Sequence, residues 1–311
     1  MRVFSLFLLI QTLLCATDFD VTVVGSSPFS LFEALYQSHS GKKVLILEES
    51  STCGGAWKTI SICGLSYIDL GCHQIEQNPQ LKDFLKVYAG CHLTPKTDSY
   101  YFANGCKELI GHLLQLIAQT DIVLLTSTKL QQAWFDTKQN IATLITPKGQ
   151  FTTKKLIVTP MSSFEMQPTT APQSYTTSQY YHLYMLVQDP TKPRFTYYYN
   201  PAQGASRATN LTDSANIQEA DRHLIVIQTH TQEGLSNAPA YLEALKEKGL
   251  IDPSARLLQC EPYIYETGVF NSALISQLNA DTMVELLQTG HFACMTAYIE
   301  RWTSVLKPFA E

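Results

Sequence analysis

The chain has 311 residues, of which 45% are hydrophobic and 16% charged, and a formal net charge of −5. That length buries the core of one or two domains, and the balance is globular rather than disordered or fibrous. With no basic block in the sequence, the charge that neutralises phosphates is missing and no nucleic-acid partner is expected.

The first residues read as a targeting segment. Arg2 is followed by a nearly unbroken apolar run, Val3 to Leu14, and then by the small pair Cys15–Ala16. This pattern predicts a signal peptide from Met1 to about Ala16, and a mature chain that is secreted or periplasmic. The run is too short to span a bilayer, so no stable membrane span is expected once it is removed. Of eight cysteines, none stands in C-x-x-C, and removing Cys15 leaves an odd number. No metal site is expected from that spacing. Most cysteines read as small buried hydrophobes, with one disulfide left open. Asn210-Leu211-Thr212 fits the glycosylation triplet.

The next stretch organises the rest. Asp20 to Val24 is apolar and ends in Gly25, and Gly25-Ser26-Ser27-Pro28-Phe29-Ser30 opens an amphipathic segment closing near His39 and Gly41. A second apolar run, Val44 to Leu47, ends in Glu48. Strand, turn, helix, strand and acid in this order predict the βαβ unit of a dinucleotide site. Gly25 makes the tight turn, while Ser27 and Ser30 stand where glycines let a pyrophosphate and the helix approach. Glu48 would accept hydrogen bonds from a ribose.

Glu48 to Thr59 carries Gly54, Gly55, Trp57, Lys58 and Thr59 in the spacing E-x(6)-GG-x-x-[RK]-[ST]. This resembles the signature of the FAD-dependent amine oxidase and protoporphyrinogen oxidase superfamily, whose fold UDP-galactopyranose mutases and Rab GDP-dissociation inhibitors share. Asp69-Leu70-Gly71-Cys72-His73 is similar to the family's segment beside the flavin ring. Tyr101 to Gly105 is similar to its turn before a helix, and Leu156 to Pro160 to the strand returning to the dinucleotide domain. The resemblance implies FAD as cofactor, backbone N–H groups of Gly54–Gly55 on its pyrophosphate, Lys58 as an added positive charge and Leu130 beside the adenine. It also places Gly290 and His291 at the turn of the last helix, where relatives carry Gly-Asp.

Between these blocks, helices are expected from Pro79 to near Gly90 and over Leu109 to Ile117, with short strands at Ile122–Leu125, Gln132–Asp136, Ile141–Thr146, Phe151–Thr153 and Leu156–Thr159. From Met161 to Glu261 tyrosines cluster, and His182–Val187, Arg194–Tyr199 and Leu224–Gln228 alternate as strands, before a helix from Pro239 to Lys248. The expected fold is α/β: a Rossmann-like FAD-binding domain (parallel sheet with helices) formed by residues 17–160 and 262–311, with an inserted antiparallel-sheet substrate domain over 161–261. The implied activity is hydride transfer from a small organic molecule, such as an amine, to flavin. His73, Arg207 and Tyr199 are the catalytic candidates. Two alternatives stand beside it: a non-catalytic or cofactor-poor binding protein, and a mutase-like flavoenzyme with arginines converging on a diphosphate.

Overall fold

The computed structural model describes residues 18–70, 75–96, 99–159, 162, 164–167, 176–215, 217, 219–269, 283–287 and 292–306. The expected signal peptide, His73, Gly290 and His291 lie outside the described residues. In chain order the strands are β1 (Phe19–Val24), β2 (Val44–Leu47), β3 (Thr59–Ile62), β4 (Leu65–Asp69), β5 (Ile75–Glu76), β6 (Leu93–Lys96), β7 (Ser99–Phe102), β8 (Val123–Leu125), β9 (Gln132–Asp136), β10 (Ile141–Thr146), β11 (Gly149–Val158), β12 (Glu165–Gln167), β13 (Thr176–Gln188), β14 (Tyr197–Tyr199), β15 (Ala205–Asn210), β16 (Arg222–Thr229), β17 (Arg256–Val269) and β18 (Val284–Leu286). The α-helices are α1 (Pro28–His39), α2 (Pro79–Asp83), α3 (Lys107–Ile117), α4 (Ala238–Glu247) and α5 (Ile299–Leu306).

The first sheet has two parts that share β11. Toward its C-terminal end β11 runs parallel to β1 and β18, and the parallel set continues through β2 to β8. Toward its N-terminal end the same strand pairs antiparallel with β10, which leads to β9 and the edge strand β12. The two runs expected over 151–159 are thus one continuous strand, long enough to serve both parts. Parallel strands covered on both faces must be apolar on both. Val21, Val23, Val44, Ile46 and Ile157 face the core under α1, α3 and α5. Val24, Leu45, Leu47, Leu156 and Val158 face a second core with Leu144, Ala133 and Met166 of the antiparallel part.

Helix α1 starts where Ser27 accepts the Ser30 N–H and Pro28 takes the first helical position, where the missing proline N–H costs nothing. It stops at Gly41, whose φ of +76° suits glycine. Helix α5 returns from the far end of the chain to clamp it. Trp302 stacks on Phe32 with ring centroids 4.9 Å apart. Glu33, 0% exposed, accepts hydrogen bonds from Gln37 Nε2 at 2.7 Å and Trp302 Nε1 at 3.1 Å, and pairs with Arg301. A buried carboxylate is tolerable only with such partners. The helix expected to begin after Gly290 is a 3₁₀ segment, Phe292–Ala297, followed by α5. The segment after Pro79 winds as α2 and then as a single π turn, Phe84–Tyr88.

The second sheet is antiparallel, in the order β14-β15-β16-β13-β17. Odd-numbered Leu183, Met185 and Val187 meet Tyr241, Leu242 and Leu245 of α4. Even-numbered Tyr184 and Leu186 meet Ile62, Cys63 and Ile68 of the β3–β4 hairpin. One face of this sheet therefore rests on the dinucleotide half of the molecule. The strand begins at Thr176, and β12 still belongs to the first sheet. Asn210 of the glycosylation triplet is 3% exposed, and its carboxamide oxygen accepts from Thr212 N–H and Oγ, so the folded chain presents no glycan acceptor there. The six described cysteines are free thiols.

Candidate functional site

The ends of β1, β2 and β8 are stitched into one rim. Gly25 N–H donates to Leu47 O at 2.8 Å, and Glu48 N–H donates to Leu125 O at 2.9 Å. In open parallel sheets, ligands bind outside the carboxyl ends of the strands. Gly25 turns here with φ +94°, a conformation that glycine adopts without a Cβ penalty. The first turn of α1 holds no acidic residue, so no side chain of its own opposes the positive end of its dipole at the rim. Ser27 and Ser30, which replace two glycines, hydrogen bond to each other at 3.0 Å between hydroxyls. That pairing tucks both hydroxyls against the helix start.

Glu48 is 5% exposed and already engaged. Ser26 Oγ donates to its Oε2 at 2.5 Å, and Ser50 N–H donates to its Oε1 at 2.7 Å. A carboxylate has about four lone-pair sites, so two remain for ribose hydroxyls. Ser26 also holds the second glycine turn: Gly54 N–H donates to Ser26 Oγ at 2.9 Å and to Ser26 O at 3.1 Å. Gly54 N–H is therefore committed within the chain rather than free for a pyrophosphate. A Cβ on Gly54 would lie 2.7 Å from Ile110 Cδ1, while one on Gly55 would meet nothing within 4 Å. Gly55 is the member of the pair with room above it. The Lys58 stem packs beside Gly54, putting a cation next to the turn.

Other predicted residues take different posts. The Trp57 indole is buried against Phe29, with centroids 5.8 Å apart, so only its backbone is left for a ligand. Thr59 Oγ1 donates to Asp69 Oδ1 and accepts Lys107 N–H, while Cys106 N–H donates to Asp69. Thr59 and Asp69 thus cap the start of α3. Burial raises the Asp69 carboxyl to about 6, against the lowering effect of these hydrogen bonds. Leu130 is buried in the core behind the sheet. Its loop docks on the rim, where Thr128 N–H donates to Glu48 O and Ser127 N–H to Ser50 O.

Tyr199 and Arg207 are cross-strand neighbours on the second sheet, apart from the rim. The link between the two regions is Leu70. Its N–H donates to Lys58 O at 2.9 Å, and its carbonyl accepts Tyr184 Oη at 3.3 Å. His182 lies beside it, 2% exposed. Burial first, and Arg207 second, lower the His182 ring to about 4 against a hydrogen bond to the Leu70 backbone, so it is neutral at pH 7. Sequence reading missed Ser26 and His182. Ser26 occupies a position for which the turn pattern specifies no residue type, and His182 is one member of an alternating run.

Together the rim offers a helix N-terminus, a glycine turn, a cation and a carboxylate with lone pairs to spare. These residues fit an ADP-containing dinucleotide. Residues 23–88 match the NAD(P)-binding Rossmann-like domain family. No curated protein matches the sequence. Solved structures do match the fold. A cyclohexylamine oxidase from Brevibacterium oxydans IH-35A aligns with TM-score 0.65 at 10% identity, over 94% of this chain and 100% of that one. A putative protoporphyrinogen oxidase from Exiguobacterium sp. 255-15 aligns with TM-score 0.55 at 10% identity, over 94% and 99%. A Rab GDI from Plasmodium falciparum aligns with TM-score 0.55 at 11% identity, over 93% and 98%. In fold, with a Rossmann-like dinucleotide domain and an antiparallel second sheet, the chain is similar to these amine oxidase, protoporphyrinogen oxidase and GDI structures.

Proposed function

We propose that the chain is an FAD-dependent oxidoreductase acting on a small organic substrate. The observation that carries this reading is the rim itself: Glu48 beneath the Gly25 turn, with Gly55 open and Lys58 alongside. Glu48 would hold the ribose of FAD through its two remaining lone pairs, and the α1 N-terminus with Lys58 would hold the pyrophosphate. FAD bound there supplies a hydride acceptor. The chain's own part is to position substrate on the second sheet, whose face meets Leu70 next to the rim, and to exclude water with the β3–β4 hairpin.

A second reading, a cofactor-poor binding protein, draws on a different observation. Ser26, Ser50, Ser27 and Ser30 satisfy the site from within, so the rim is stable without a ligand. The mutase reading needs converging arginines. Arg222 and Arg256 both pair opposite Gln188, six residues along the sheet from the Gln228 row that holds Arg207, about 20 Å away at 3.3 Å per residue.

The test is the visible spectrum of the purified chain before and after denaturation, followed by titration with FAD. Released flavin, or saturable FAD uptake, with bleaching under anaerobic substrate, is the expected result. A colourless chain that takes up no FAD would overturn the oxidoreductase reading and leave the binding-protein one.

A further inference from the structure

One polar row crosses the second sheet from edge to edge. Tyr199 faces Arg207, Arg207 faces Gln228, Gln228 faces His182, and His182 faces Tyr263. Directly paired residues in antiparallel strands share a face, and this face is the one that meets the β3–β4 hairpin. The row runs from Leu70, beside the dinucleotide rim, out to Tyr199, which is 69% exposed.

Two atoms in the row lack partners among the described residues: Arg207 Nε and His182 Nδ1, both buried. A buried donor or acceptor left unmade costs about 1–3 kcal/mol, so two on one face mark a place where something else completes the bonding. Arg207 lies over the Tyr197 ring at 5.4 Å, and its ion-pair partner is not supplied by any described carboxylate. An arginine in that condition calls for an anion. His182 is different. Its Nδ1 has no partner among the described residues, and a neutral ring with its proton on the other nitrogen presents Nδ1 as a lone-pair acceptor. It calls for an O–H or N–H donor. The ring sits edge-on to Tyr265, 5.4 Å between centroids, and Tyr265 stacks on Tyr180 at 5.1 Å, so the wall beside it is aromatic. Arg207 and His182 stand two strands apart, about 10 Å between backbones.

We propose that this row is a binding subsite for a small organic acid, its carboxylate or phosphate held at Arg207 and its hydroxyl or amine donating to His182 Nδ1. The acid end lies toward the Tyr199 edge, and the hydroxyl or amine end lies beside Leu70. The order places the oxidisable carbon at the rim side, so the inference deepens the proposed function and rests on it in naming this ligand the substrate. The binding itself stands apart from any cofactor.

The experiment is calorimetric titration of the full chain with four probes: 3-phenyllactate, 3-phenylpropionate, 2-phenylethanol and phenyl phosphate. 3-Phenyllactate is expected to bind at least tenfold more tightly than 2-phenylethanol, which lacks the acid, and more tightly than 3-phenylpropionate, which lacks the hydroxyl. Arg207→Gln should weaken both carboxylates and phenyl phosphate at least tenfold and leave 2-phenylethanol unchanged. His182→Phe should reduce 3-phenyllactate to the affinity of 3-phenylpropionate. Whichever of phenyl phosphate and 3-phenylpropionate binds more tightly identifies the anion. Equal affinity for the acid and the alcohol, no binding of any probe, or an unchanged Arg207→Gln in a chain that melts normally would overturn the proposal. Flavin content measured on the same preparation separates the two ideas: probe binding without flavin sinks only the redox reading, and flavin without probe binding sinks only the subsite.

Discussion

Ser26→Ala and Glu48→Gln separate what holds the rim together from what would hold a ribose. Ser26 Oγ donates to Glu48 at 2.5 Å and accepts Gly54 N–H at 2.9 Å, in a buried setting. A hydrogen bond to a charged group contributes roughly 1.5–3 kcal/mol. Gly54 N–H keeps a second acceptor, Ser26 O at 3.1 Å, so its loss is partly covered. Ser26→Ala is expected to destabilise the ligand-free chain by about 2 kcal/mol. Glu48→Gln keeps the shape but removes charge assistance from two bonds, again about 2 kcal/mol. The double variant should fall short of the sum by about 1–2 kcal/mol, because both changes remove the same bond. Urea unfolding of the four proteins measures this. FAD titration of the same set gives the functional half. Ser26→Ala frees a lone pair of Glu48 and should leave affinity unchanged or tighter, while Glu48→Gln should weaken it about tenfold, or about 1.4 kcal/mol. Strict additivity, or equal loss of FAD affinity in both single variants, would refute the reasoning.

Three further outcomes are expected. Gly54→Ala places a Cβ 2.7 Å from Ile110 Cδ1 at a φ of +118°, and should cost about 2–4 kcal/mol; Gly55→Ala, with open space around it, should cost about 1 kcal/mol, and Ile110→Val should recover part of the Gly54 loss only, all read by denaturant midpoint. Burial raises the Asp69 carboxyl from 3.8 to about 6. The folded chain then holds a proton that the unfolded chain has lost, so stability falls as pH rises between about 4 and 6, by up to about 3 kcal/mol. Asp69→Asn, which keeps an acceptor oxygen for Cys106 N–H and Thr59, should flatten that part of a melting-temperature profile. Glu33→Ala strips Trp302 Nε1, Gln37 and Arg301 of a shared acceptor at a fully buried position, and should destabilise by about 3–5 kcal/mol in the same unfolding assay, with α5 loosened first in hydrogen exchange.

Much of the fold is legible in the chain because its signals are local. The apolar runs before Gly25 and Glu48, the Ser27–Pro28 helix start and the Gly41 stop each follow from backbone preference within a few residues. The alternating runs of β13 and β16 declare a sheet with two different faces before any partner is known. What the tertiary structure decided is which groups meet across long separations. No spacing rule joins Ser26 to Glu48 and Gly54, Glu33 to Arg301 and Trp302, or Arg207 to Gln228 and His182. Those meetings depend on strand register and on the way α5 returns to α1. They also settle the chemistry, because hydrogen bonds and ion pairs act over about 3 Å while the residues that make them lie tens to hundreds of positions apart. The glycines and the acid of the site can thus be read from the sequence, but whether their donors and acceptors are free for a ligand is fixed only by their neighbours in space.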